Sequence, residues 1–162
     1  MNKILILIFF LFTTSVFCQT EQRTIKKETF EVTCLDDWET TNVKGYDNKT
    51  SIAIYKKKSS FMIISGFLIC KEEDSLTEIY NRILKEDKSL NNYLRVKERI
   101  DQNFITIEGL WKLKNNRRRR LIRYYKSGTN IFKVEFSSSI EGFKTDTLKR
   151  ELFFDSFKIV DN

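Results

Sequence analysis

The least ordinary piece of this 162-residue chain is Arg117-Arg118-Arg119-Arg120. With Lys112, Lys114, Arg123 and Lys126 it sets eight cations within fifteen residues and no acid among them. A guanidinium offers a planar fork of donors that matches the oxygens of a phosphate or carboxylate in pairs. Trp111 stands just ahead of the run, within stacking reach of one of those cations. The chemistry on offer is recognition of an anion, with aromatic surface at its base. The competing reading is a solvated hairpin tip whose charge discourages edge-to-edge strand pairing.

Chemistry of other kinds is thinly supplied. There is no histidine, so the commonest general base and the commonest zinc ligand are both missing. That weighs against hydrolase triads and mononuclear zinc sites. No spacing of Asp and Glu recommends an acid–base pair, so the chain reads as a non-enzyme that calls for neither cofactor nor metal. A cleft holding two buried carboxylates of raised pKa would reopen an enzymatic reading. Cys34 and Cys70 could form a disulfide, which would stabilise by roughly 3–4 kcal/mol on a chain-entropy model. They could equally be two buried thiols. If the first strands form a simple meander, the two cysteines stand about 9–10 Å apart, beyond the roughly 7 Å that a bridge can span.

The elements that must position the arginines follow from periodicity. Residues 19–28 are polar and read as frayed. Phe30, Val32 and Cys34 alternate with Glu31 and Thr33, the period of a half-buried strand. Residues 40–49 carry turn signals, residues 51–55 a short strand. Phe61 to Ile69 is apolar on both faces, as a strand covered on both sides should be. Leu76, Ile79, Tyr80, Ile83 and Leu84 fall on one helical stripe, and Ser75 with Glu78 makes a capping box. Four strands then follow, over residues 93–100, 104–114, 117–126 and 131–137. On the first, Leu94, Val96 and Ile100 alternate with Arg95, Lys97 and Arg99. A second helix over 145–154 turns Leu148 and Leu152 inward, and Phe157, Ile159 and Val160 close the chain as a short strand.

Asn115-Asn116 reads as a two-residue hairpin turn, because Asn tolerates the positive φ such turns need. That turn sets Leu113 opposite Arg118, Trp111 opposite Arg120, Leu110 opposite Leu121 and Glu108 opposite Arg123. Alternation then sends Ile105, Ile107, Trp111, Ile122 and Tyr124 to the core face, and Lys112, Arg119 and Arg123 outside. Arg118 and Arg120 are left on the core side, solvated only if the tip projects past the helix layer.

The first eighteen residues speak to destination. Lys3 precedes the nine-residue apolar run Ile4–Phe12, and a short polar tail follows, the layout of a secretory signal peptide. The run is about half the length a membrane-spanning helix needs. Val16 and Cys18 suit the positions a signal peptidase reads, so cleavage is expected before Gln19, with export to the periplasm or beyond. Lipid attachment at Cys18 is the alternative, and the bulk of Phe17 argues against it. Removing eighteen residues from 162 leaves 144, a single domain over residues 19–162. That domain keeps 28 basic against 22 acidic residues and a net charge of +6, a bias toward anionic partners. No proline interrupts it.

Strands, helix, four-strand meander and helix make an α+β arrangement, an antiparallel β-sheet with helices packed on it. The entry strand from Phe30 to Trp38, the apolar strand before an acid-capped helix and the hairpin centred on Gly109 resemble the PsbP-like superfamily. So do the segments IFKVEFSS and LKRELFFDSFKIV. The resemblance implies an α/β/α sandwich and a non-catalytic accessory or binding role. The chain departs from the family pattern in lacking the proline before the entry Trp and the histidines that bind metal in some members. No functional residue is carried over from it.

The expected role is therefore an exported binding module whose basic hairpin, residues 112–126, contacts an anionic partner or an acidic protein surface. Export argues against nucleic acid. The alternative is a specific protein–protein partner, such as an immunity or secretion-adaptor protein. On this reading, charge reversal across Arg117–Arg120 weakens binding while stability barely changes. The oligomeric state is not legible. Mass spectrometry of the expressed protein is expected to find it outside the cytoplasm and beginning at Gln19; a cytosolic protein retaining Met1 to Cys18 would contradict the address.

Overall fold

The computed structural model describes residues 21–35, 37–42, 52–56, 60–113 and 116–160. Residues 1–20, including the expected leader and Cys18, lie outside the described residues, as does Lys114. Two antiparallel sheets organise the rest. The smaller joins β1 (Gln22–Lys26), β2 (Phe30–Leu35) and β10 (Lys158–Ile159) in the order β1-β2-β10. The larger joins β3 (Glu39–Asn42), β4 (Ile52–Lys56), β5 (Ser60–Ile69), β6 (Tyr93–Ile100), β7 (Phe104–Leu113), β8 (Asn116–Ser127) and β9 (Asn130–Ser139). Its order is β3-β4-β5-β9-β8-β7-β6. Helix α1 (Leu76–Glu86) carries the chain from the middle of that sheet to its far edge, and three hairpins bring it back to pair β9 with β5. Helices α2 (Ile140–Thr145) and α3 (Thr147–Ser156) precede β10.

The α1 boundaries have local causes. Ser75 caps the helix by accepting from the Glu78 amide, and Glu78 Oε2 accepts from the Ser75 amide at 2.8 Å. Ile79 and Ile83 are fully buried against the sheet. The large sheet thus has a core on each side. On one face Phe132, Val134 and Phe136 pack against Phe30, Val32, Trp38, Phe153 and Phe157, from the small sheet, its flanking turn and the C-terminal helix region. On the other, Ile105, Ile107, Ile122, Tyr124 and Ile131 pack under α1.

Several expectations are corrected by this layering. Residues 22–26 are not frayed. They pair along the open edge of β2, where backbone hydrogen bonds need no apolar pattern, and Thr24 meets Thr33 across the pair. The strand covered on both faces is β9, buried from Ile131 to Ser138. Strand β5 is fully buried on one face only, because α1 lies over β7 to β9 and leaves Phe61, Ile63 and Ser65 half-buried. The C-terminal helix is broken at Asp146, which closes α2 and opens α3. The helix that follows turns Phe153 and Phe154 into the core, so Leu148, expected to face inward, is 80 % exposed.

Cys34 lies in the core between the sheets, and Cys70 lies under α1 on the opposite side of the large sheet. They are separate buried thiols, and a bridge would have to pass through the sheet.

The basic hairpin has the expected pairing but a different register. Leu113 pairs with Asn116, Trp111 with Arg118, Leu110 with Arg119, Glu108 with Leu121 and Thr106 with Arg123. The slip from the expected register is two residues. An even slip preserves the faces, whereas a slip of one would exchange them. Ile105, Ile107, Ile122 and Tyr124 are accordingly buried on the α1 side as expected.

Strand β6 departs more. Its register jumps from Arg95 opposite Gly109 to Lys97 opposite Glu108, leaving Val96 as a bulge. The bulge breaks the alternation read from the sequence: Leu94, Val96 and Ile100 are 67, 57 and 42 % exposed. Gly109 is what lets the two strands close up here, since a Cβ on it would stand 2.2 Å from the carbonyl oxygen of Leu94. Replacing Gly109 with Ala is therefore expected to destabilise by about 1–3 kcal/mol in chemical denaturation. Faster amide exchange confined to β6 would place the damage at this pairing.

Candidate functional site

Strand β8 lies between two layers, and its period of two divides the arginine run. Arg118 and Arg120, with Trp111 on β7, face the α1 side; Lys112, Arg117, Arg119 and Arg123 face the side of α3. The described cations of the run are not one patch.

On the α1 side the charges are consumed within the molecule. Arg120, 6 % exposed, grips the Glu135 carboxylate with both arms, Nε to Oε1 at 2.7 Å and Nη2 to Oε2 at 2.5 Å. Its guanidinium also stacks on Trp111 and Tyr93, at 5.5 and 5.4 Å from the ring centroids. Lys133 bonds Asp87 at 2.6 Å and stands 3.8 Å from Glu135. Tyr124 donates to Asp87 at 2.7 Å, and Tyr93 donates to the backbone carbonyl of Arg120 at the same distance. Burial, and after it the Asp87 charge, pushes the Tyr124 hydroxyl well above its ordinary pKa, so it stays a donor. Burial, the largest single influence, disfavours the charged form of Arg120, but the charge and hydrogen bonds of Glu135, with Tyr93 and Asp87, together outweigh it and raise the pKa. Arg118 stacks over Phe61 and donates to the hydroxyl and carbonyl oxygens of Ser137. Burial lowers its pKa. The solvated tip expected for Arg118 and Arg120 is replaced by an internal ion network. Two buried carboxylates do occur here, and each is matched by a cation at contact distance.

The α3 side is different. A cleft of about 300 Å3 opens between β6 to β8 and α3, lined by Lys97, Arg99, Arg123 and Arg150 together with Thr106, Glu108 and Glu151. Glu108 is taken by Arg119, whose Nε donates to it at 2.8 Å, and not by the expected Arg123. Arg123 is instead sandwiched between Phe104 and Phe154, with its guanidinium carbon 4.8 Å from each ring centroid. Asp155, itself 73 % exposed, is 3.6 Å away. The Nε of Arg123 is buried and meets no acceptor among the described residues. Arg150 lies 4.0 Å over Phe143 and donates to that residue's carbonyl, and burial lowers its pKa. Lys112 and Arg117 are exposed further along the same face.

Arginines held flat by aromatic rings, in a concave and partly dry setting, are prepared to receive an anion. Sequence reasoning included Arg123 and missed Lys97, Arg99 and Arg150. The first two alternate visibly along β6, but the bulge that aims them into this cleft leaves no mark in the pattern. Arg150 arrives from a helix whose phase the break at Asp146 sets. Among the described residues no group of three or more Cys, Asp or Glu side chains could hold a metal ion. None of their helices is long and apolar enough to cross a membrane.

No family model matches the chain, and no curated protein matches its sequence. Solved structures match its fold. Cyanobacterial PsbP from Synechocystis superposes with a TM-score of 0.60 at 14 % identity, over 90 % of this chain and 96 % of that one. A protein from Bacteroides thetaiotaomicron gives 0.56 at 14 % identity, with 89 % of this chain spanning 50 % of it. LpqN of Mycobacterium tuberculosis, described as involved in cell envelope biogenesis, gives 0.56 at 10 % identity, over 87 % and 91 % of the two chains. The fold is thus the PsbP-like one expected from the resemblance, an α+β fold of antiparallel sheets with helices packed on them.

The internal network makes a sharp contrast within one tetrapeptide. Arg120→Leu leaves Glu135 short of its bidentate partner in the core and is expected to cost about 3–5 kcal/mol, while Arg120→Leu with Glu135→Leu recovers most of that loss. Arg117→Glu, at an exposed position, is expected to stay within about 0.5 kcal/mol of the parent. Urea unfolding of the three variants measures both. Charge reversal of the whole run is therefore expected to unfold the protein, contrary to the sequence-based expectation.

Proposed function

We propose, from this PsbP-like fold, that the chain is an exported, non-catalytic binding or accessory domain that holds an anionic partner in the cleft between β6 to β8 and α3. The observation that carries the reading is Arg123. It is fixed between Phe104 and Phe154, keeps a buried Nε without an acceptor among the described residues, and shares its cleft with Lys97, Arg99 and Arg150. Placing a guanidinium this way restricts it before any ligand arrives, so less ordering is left for the binding step. The leader pattern supports export, and the net positive charge of the mature chain supports an anionic partner. Outside the cytoplasm such partners include lipid headgroups, acidic polysaccharides and acidic protein surfaces. The hairpin contributes Arg123 directly, and Lys112 and Arg117 extend the charged face. Arg118, Arg120 and Trp111 contribute by holding the sheet that carries them.

A second reading rests on the exposed edge of the large sheet. Leu94, Val96 and Ile100 line β6 there, a surface suited to a specific protein partner. Binding of that kind would survive high salt, whereas cleft binding would not.

Heparin–agarose supplies a simple anionic probe. The protein is expected to bind at low ionic strength and elute as salt rises. Lys97→Glu with Arg99→Glu is expected to weaken binding about tenfold or more, the scale of one or two charge-assisted hydrogen bonds. Arg123→Gln is expected to do the same with an unchanged circular dichroism spectrum. Retention equal to the parent for both variants would remove the cleft from the proposal.

A further inference from the structure

The face of the large sheet that α1 leaves open contains a second concavity, separate from the α3-side cleft. It measures about 480 Å3 and is walled by Phe61, Ile63 and Ser65 of β5, Trp111 of β7, and Lys88 and Asn92 after α1. Its floor is the charged network: Arg120, Lys133 and Glu135, each at most 9 % exposed. Hollows of about 300–1,000 Å3 with apolar walls and a few convergent polar groups are the usual form of small-molecule sites. The geometry of Trp111 fits that form. One side of its indole is engaged by the Arg120 guanidinium, yet the side chain remains half-buried at the rim of the hollow.

Charge selects the ligand class. Lys88, Arg120, Lys133 and Glu135 line the hollow, while Arg118 stacks on Phe61 of its wall and Asp87 bonds Lys133 behind it. Four cations against two anions leave a net positive field in a partly water-excluding concavity, where such a field is screened less than at an open surface. The wall of Phe61, Ile63 and Trp111 offers apolar area to the remainder of the molecule.

We infer that this hollow binds a small amphipathic anion, its acidic head toward Lys88 and Lys133 and its apolar body against Phe61, Ile63 and Trp111. Such a site is independent of the cleft described above, which lies on the other face of the sheet and is dominated by arginine. Loss of either function would leave the other in place.

The test uses the mature protein and two fluorescent probes that differ in charge. 1-Anilinonaphthalene-8-sulfonate carries an acidic head; N-phenyl-1-naphthylamine has the same rings without it. The sulfonate is expected to bind at one site per chain, at least tenfold tighter than the neutral amine, with energy transfer from Trp111. Trp38 is the only other tryptophan and lies in the opposite core. Ser65→Phe, which fills the hollow, and Lys88→Glu, at an exposed rim position, are each expected to weaken the sulfonate at least fivefold. Their melting temperature should match the parent, and heparin retention should be unaffected. Equal affinity for the two probes would overturn the inference. So would full binding by a folded Lys88→Glu variant. A dimer in sedimentation that excludes the sulfonate would assign the face to a second copy and overturn it as well.

Discussion

Strand β8 is clamped between two packed layers, and that sandwich forces each successive side chain to opposite destinations. An alternating backbone cannot present four consecutive arginines on one surface. Two of them enter a layer that also holds Ile122 and Tyr124, and there a lone cation would be costly. Glu135 and Asp87 occur where they are needed to make Arg120 and Lys133 tolerable. The other two emerge beside α3, where solvent and aromatic rings accept them. The ion network, the cationic cleft and the open hollow all descend from this division.

Irregularities aim the side chains that regular structure leaves undirected. The bulge at Val96, admitted by the bare backbone of Gly109, turns Lys97 and Arg99 toward the cleft and rotates Glu98 toward Tyr80. The break at Asp146 resets the helical phase, so that Arg150 reaches the same cleft while Phe153 and Phe154 enter the core. In each case a local departure from period two or 3.6 changes which residues meet, without changing which elements exist.

The two concavities differ in chemistry. Beside α3, flat guanidiniums against rings suit a multivalent anion met at the surface, and their field reaches outward. Under the open part of the other face, the charges are already paired and set back, so the apolar wall dominates. Both fit on one molecule because the large sheet insulates its two faces from each other.

Composition and periodicity by themselves determined strands β2 and β4 to β9, the capped α1 and the strand pairs from β6 to β9. These are local properties, written in turn residues and in apolar spacing over ten or fifteen positions. They also determined the faces of β7 and β8, because a two-residue error in the hairpin turn leaves alternation intact. Tertiary structure decided the rest. It made a strand of residues 22–26, which have no apolar pattern and need only a neighbour's free edge. It set Cys34 and Cys70 on opposite sides of the sheet, and it left Leu94 and Leu148 in solvent. It converted half of a basic run into a buried network, because whether an arginine is solvated depends on which layer stands opposite it, and that layer comes from distant parts of the chain.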